Sequence, residues 1–169
     1  GMPGHLWWQK SIGVYKTTDG GTTWDNIGLA DIDRMRKIIK LPSQQGIAPL
    51  VVVTEVGVYY CEDALASSPV WEQVENLEGN FYDIELHPLN QKLVYVSGTQ
   101  STSIYEIDFN SFPPTWNELS GLATIIPDPD PNEDIRRVVI ANSPCVPEYL
   151  FIVVTYYGMN LPCELFRYD

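Results

Sequence analysis

Apolar positions in this chain fall into short alternating runs separated by glycine, proline and acidic residues, and none of the runs keeps a helical spacing for long. Alternation of that kind sends successive side chains to opposite sides and predicts half-buried strands. The runs at 50–54, 57–61, 93–97 and 149–155 are rich in valine, isoleucine, tyrosine and threonine, residues that suit a pleated surface. The stretch 31–40 comes nearest to a helical period, and it is short. Leu41-Pro42 and Leu86-His87-Pro88 each close a strand, which makes His87 a turn residue.

The runs also recur at a longer interval. Trp24-Asp25-Asn26-Ile27, Trp71-Glu72-Gln73-Val74 and Trp116-Asn117-Glu118-Leu119 share one pattern, with their tryptophans 47 and 45 residues apart. Upstream stand Val14-Tyr15, Val58-Tyr59 and Ile104-Tyr105, and each tyrosine is followed by an acid, at Asp19, Asp63 and Asp108. Leu165-Phe166 begins a fourth copy, displaced by an insertion. A period near 45 in β-rich sequence is blade spacing, and the β-branched, Pro-rich content excludes a helical solenoid. Residues 1–169 are therefore expected to form one all-β unit, a β-propeller arc of antiparallel four-stranded blades at about 1–29, 30–77, 78–121 and 122–169. The expected strands are 6–9, 14–16 and 23–27; 37–41, 50–54, 57–61 and 70–74; 82–86, 93–97, 103–107 and 116–119; and 135–141, 149–155 and 164–168, about 14 in all. On this count the end blades are incomplete and lack different strands, so they do not merge. Propellers close as rings of about four or more blades. A fragment of a larger ring, or a homo-oligomer completing one, is expected in place of a self-sufficient monomer, with a distorted four-bladed closure as the alternative.

The first repeat contains Thr17-Thr18-Asp19-Gly20-Gly21-Thr22-Thr23-Trp24, or Thr-x-Asp-x-Gly-x-Thr-Trp. Asp19 is placed to accept hydrogen bonds from the turn that follows it. Gly20 and Gly21 permit positive φ, and Trp24 offers an apolar plate to pack beside the return strand. The segment resembles the Asp-box of bacterial-neuraminidase-type (BNR) repeats, which build propellers in sialidases, xyloglucanases, sortilin-type receptors and photosynthetic assembly factors. The resemblance implies that Thr17, Asp19, Gly21, Thr23 and Trp24 are structural and sit on the face away from any ligand. It places a site in the loops at 28–36, 77–81 and 120–134, with 10–12, 55–56, 98–102 and 156–162 beside them.

Those loops hold the candidate chemistry. Asp31 or Asp33 with Asp134 is the pair a xyloglucanase-like enzyme would use, since an inverting glycosidase needs two carboxylates about 6.5–9.5 Å apart. Acids in polar loops are more commonly solvated or cap turns, so a noncatalytic module binding glycan or polypeptide is the primary expectation and a glycoside hydrolase fragment the alternative. Arg34, Arg36 and Arg137, with Trp7, Tyr156 and Tyr157, are the ligand-binding candidates, because flat aromatic faces stack on sugar rings and also anchor protein interfaces. Adjacent Trp7 and Trp8 point to opposite faces, and packing between blades competes with that role. Sialidase chemistry is not expected: the five arginines include no Arg-Ile-Pro motif. The oxygen-rich run from Asp128 to Asp134 lacks the glycine and spacing of a calcium loop, so no metal or other cofactor is expected.

Charge and cysteine content narrow the partners. The net charge of −12 disfavours nucleic acid and anionic membrane surfaces, which select basic patches. No apolar run approaches the ~20 residues of a membrane-spanning helix. No signal peptide is readable, and a location outside the cell, in the periplasm or on the cell surface is what the resemblance implies. Cys61, Cys145 and Cys163 are an odd number without metal-like spacing. Cys145 and Cys163 flank one strand and stand too far apart to bridge, so free thiols are expected.

Overall fold

The computed structural model describes residues 10–43, 46–98, 103–119, 134–157 and 164–168; in the last sheet the side chains described are those of 137–155 and Arg167. The described residues contain no helix and 13 strands in four antiparallel sheets. The first sheet pairs β1 (Val14–Lys16) with β2 (Asp25–Gly28). The second runs β3 (Met35–Lys40), β4 (Leu50–Thr54), β5 (Gly57–Cys61) and β6 (Glu72–Glu78) in chain order. The third runs β7 (Phe81–Leu86), β8 (Leu93–Gly98), β9 (Ile104–Asp108) and β10 (Thr115–Glu118), and the fourth β11 (Asp134–Asn142), β12 (Leu150–Tyr157) and β13 (Glu164–Tyr168).

Strand edges follow the alternation closely at β1, β4, β5 and β13, while 31–40, the most helix-like stretch, becomes a loop and β3. Period-two alternation in Met35–Lys40 (half-buried, exposed, and so on) outweighs the weaker helical spacing there. The expected strand at 6–9 lies outside the described residues. Cys61 is a buried free thiol, held above the ordinary thiol range first by burial, and Cys145 is exposed and free.

The second and third sheets bury both faces against their neighbours, and the first and fourth bury one. Val51 and Val53 of β4 join Val94, Val96 and Ile107 of the third sheet in the largest core cluster. The opposite parity, with Leu50, packs toward Ile27 and Val14 of the first sheet. Ile104 and Tyr95 turn the other way, onto Val138, Ile140, Ile152 and Val154 of the fourth. Each such valine or isoleucine removed from water contributes roughly 1.5–3 kcal/mol. As a result β7 lies between β3 and β11, so the first strands of three successive sheets run side by side.

The β1–β2 hairpin is a closed hydrogen-bond device. Thr17 Oγ1 donates to Asp19 Oδ1 at 2.9 Å and accepts from Gly21 N at 2.9 Å. Thr23 N donates to Asp19 Oδ1 at 2.9 Å, and its hydroxyl to Oδ2 at 2.7 Å. Gly20 and Gly21 take φ of +73° and +97°. In the other repeats the acid keeps the turn role: Asp63 accepts from Leu65 N, and also from the distant Ala48 N, and Asp108 accepts from Asn110 N. His87 Nδ1 likewise accepts from Leu89 N and Asn90 N. Trp24 departs from its expected packing: it is 57% exposed, and its indole N–H closes locally on Gly21 O at 3.1 Å. The plate has no sheet to pack on beyond the hairpin among the described residues.

Hydrogen bonds from Thr23 N, then from the Thr23 and Thr17 hydroxyls, hold Asp19 at about 2, below its ordinary 3.8. A carboxylate depressed in the folded state stabilises above its unfolded value and loses that contribution as pH falls through the folded one. The hairpin is therefore expected to loosen between about pH 4 and pH 2. The Thr23 amide resonance should titrate with a midpoint near 2; a midpoint near 4 would show that these donors do not hold the carboxylate.

Candidate functional site

The first strands of the second, third and fourth sheets share an irregularity. Pairing shifts between Met35 and Lys37, between Phe81 and Asp83, and between Ile135 and Arg137. One extra residue is thus inserted at Arg36, Tyr82 and Arg136, one step into each strand. Bulges redirect side chains and concentrate beside functional sites. Because β3, β7 and β11 run side by side, the three bulges form one rung across three sheets. That rung adjoins the loops tied together by Glu55 N to Arg34 O at 3.0 Å and Gly79 N to Val56 O at 3.4 Å. The Asp19 hairpin is at the other end of β2 from this loop cluster.

On the rung, two guanidiniums lie against one aromatic ring. Arg36 Cζ lies 5.5 Å and Arg137 Cζ 5.1 Å from the Tyr82 ring centre. Arg137 Nη1 donates to Tyr82 Oη at 2.7 Å, and Arg36 Nη2 reaches Asn80 Oδ1 at 3.5 Å. Neither guanidinium has a carboxylate within ion-pair distance among the described residues. Each cation–π contact contributes about 0.5–2 kcal/mol and fixes the orientation of a long side chain.

One position further on, Lys37 and Asp83 meet. Lys37 Nζ donates to Asp83 Oδ1 at 2.8 Å and to Glu85 Oε1. Burial works against the ammonium, but the hydrogen bonds and charges of both carboxylates outweigh it and hold Lys37 above the ordinary lysine pKa. Asp83 is buried and also accepts from Ile84 N at 2.9 Å and from Ile140 N, on β11, at 3.0 Å. Met35, Arg36, Lys37, Tyr82, Asp83, Glu85, Val139 and Ile140 line an open cleft of about 520 Å³ along the rung. Lys37 is paired with two carboxylates, and Arg36 and Arg137 have no ion pair among the described residues, in a chain of net charge −12.

The remaining sequence candidates divide. Arg34 is engaged by Glu55 at 3.4 Å, and Asp33 by Lys10 at 3.1 Å. Asp31 is exposed in the loop before β3. Asp134 opens β11 opposite Tyr157, and Tyr156 pairs with Ile135, their backbones being what is described. Trp7 and the acidic run before Asp134 lie outside the described residues. Arg36 and Arg137 are therefore the two candidates the fold brings together. Tyr82, Lys37, Asp83 and Glu85 were not legible as site residues; the available signal was an apolar residue followed by polar pairs at Arg36-Lys37, Tyr82-Asp83 and Arg136-Arg137. No group of metal-binding side chains occurs among the described residues, and no helix there is long and apolar enough to cross a membrane.

No protein-family model matches this chain, and neither a curated protein nor a solved structure is significantly similar to it.

Proposed function

We propose that this chain is a noncatalytic Asp-box-type β-propeller module, part of an exported protein, that binds an anionic group of a glycan or polypeptide at the bulged rung. The observation that carries the reading is the pair of guanidiniums, Arg36 and Arg137, both held against Tyr82 without a carboxylate partner among the described residues. Guanidinium presents planar, forked donors that match carboxylate or sulfate oxygens two at a time. The ring they share holds both forks in place before a ligand arrives, which lowers the ordering cost of binding. Hydrolysis is not favoured by this arrangement. A glycosidase needs one protonated acid and one free base facing a water-sized gap. Here Asp83 and Glu85, the carboxylates lining the cleft, both bind Lys37.

The test is a glycan and peptide array probed with the chain, followed by titration of the best acidic hit. Arg137→Ala and Arg36→Ala are each expected to weaken binding about 10-fold, the scale of one charge-assisted hydrogen bond. Equal retention of neutral and acidic ligands, or unchanged affinity in both variants, would reject the site. Reducing sugar released from xyloglucan would favour the hydrolase fragment in its place.

A further inference from the structure

The two end sheets present faces that match the halves of an interface already made inside the molecule. On the first sheet, Val14 and Ile27 pack toward the second sheet, while Tyr15 pairs with Asn26 and Trp24 precedes that pair by two residues. Tyr15 and Trp24 are 40% and 57% exposed. Their counterparts on the third sheet are Tyr105 and Trp116, which meet edge to face at 5.5 Å and pack against the cluster containing Val51 and Val53. Trp116 Nε1 also donates across the sheets to Glu75 O at 2.9 Å, as Trp71 Nε1 does to Ile27 O at 2.7 Å. Both acceptors immediately precede a residue with positive φ, Asn76 and Gly28.

The fourth sheet supplies the complementary half. Val138, Ile140, Ile152 and Val154 are buried toward the third sheet, and the opposite face carries Val139, Phe151 and Val153, only half-buried. Val153 of β12 pairs with Val139 as Val51 of β4 pairs with Ile39, each partner lying the same distance past its bulge. Val153 thus occupies the position of Val51, which the third sheet covers on the second, and Phe151 lies beside it on the same face of β12.

We propose that the chain associates head to tail with a second copy, Tyr15 and Trp24 of one covering Phe151 and Val153 of the other. The contact repeats the stacking already made between the second and third sheets. It is heterologous, so two or more copies close a ring when the rotation allows. It stands independently of the anion site.

The experiment is light scattering coupled to size exclusion, across a concentration series of the full chain, with circular dichroism to verify folding. The wild-type chain is expected to be a dimer or larger ring. Trp24→Arg, at an exposed position, and Phe151→Arg should each weaken association by roughly 30-fold or more, as loss of an aromatic anchor does. Mixing the two folded variants should then restore a 1:1 dimer, since each keeps the face the other lacks. A wild-type monomer at every concentration, oligomers unchanged by Trp24→Arg, or variants that stay apart on mixing would each overturn the proposal.

Discussion

Replacing Asp83 by alanine is expected to destabilise the fold by about 3 kcal/mol, lowering the melting temperature by roughly 10 °C. Asp83 is 6% exposed and joins three sheets through one carboxylate. Oδ1 accepts from Lys37 on β3 and from its neighbour Ile84 N, and Oδ2 accepts from Ile140 N on β11. Ile84 and Ile140 are 0% and 2% exposed, so their amides have no water to turn to. An orphaned buried donor costs about 1–3 kcal/mol, and here there are two. Lys37 keeps Glu85, which limits its share of the loss. It also supplies a second readout. A lysine raised above its ordinary pKa stabilises below that value, and the contribution is lost as pH rises through the raised one. In Asp83→Ala the alkaline loss should therefore begin at lower pH than in the wild type. Glu85→Gln, at a third-exposed side chain, should cost under about 1 kcal/mol. Urea unfolding of the three proteins measures these differences; an Asp83→Ala cost no larger than that of Glu85→Gln would show that the carboxylate does not tie the sheets.

The same carboxylate shows how far the sequence could be read. Strands such as Leu50–Thr54 and Gly57–Cys61 were legible to the residue, because alternation and turn chemistry are local properties. Arg36 and Arg137 were legible as candidates from their place beside loops. Tyr82 and Asp83 were not, since a mid-strand aromatic and a lone acid look like core and surface until the bulge that redirects them is known. A bulge is a mismatch of register between two strands, and neither strand states it alone. Trp24 failed for a related reason. Its apolar plate is a sequence property, but packing needs an opposing surface, and among the described residues Trp71 and Trp116 find a neighbouring sheet where Trp24 does not.

That neighbouring surface is specific enough to constrain a glycine. Gly28→Ala is expected to cost about 3 kcal/mol, from backbone strain and from collision together. Gly28 has φ of +132°, a conformation that L residues rarely adopt. A Cβ there would stand 2.5 Å from Trp71 Cδ1 and 2.7 Å from Nε1. The indole cannot retreat cheaply, because Nε1 donates to Ile27 O at 2.7 Å and the ring packs against Ile27, Ala48 and Cys61. Two controls separate the causes. Gly20→Ala, with φ of +73° and no atom within 4 Å of its added Cβ, should show strain alone, about 1 kcal/mol. In a Trp71→Ala background the clash is gone, so Gly28→Ala should fall to the strain cost, giving a coupling of about 1–2 kcal/mol in the double-mutant cycle. Denaturant midpoints of the four proteins measure that coupling. A value near zero would mean that the indole moves aside freely, and that the tryptophan contact is not what joins one sheet to the next.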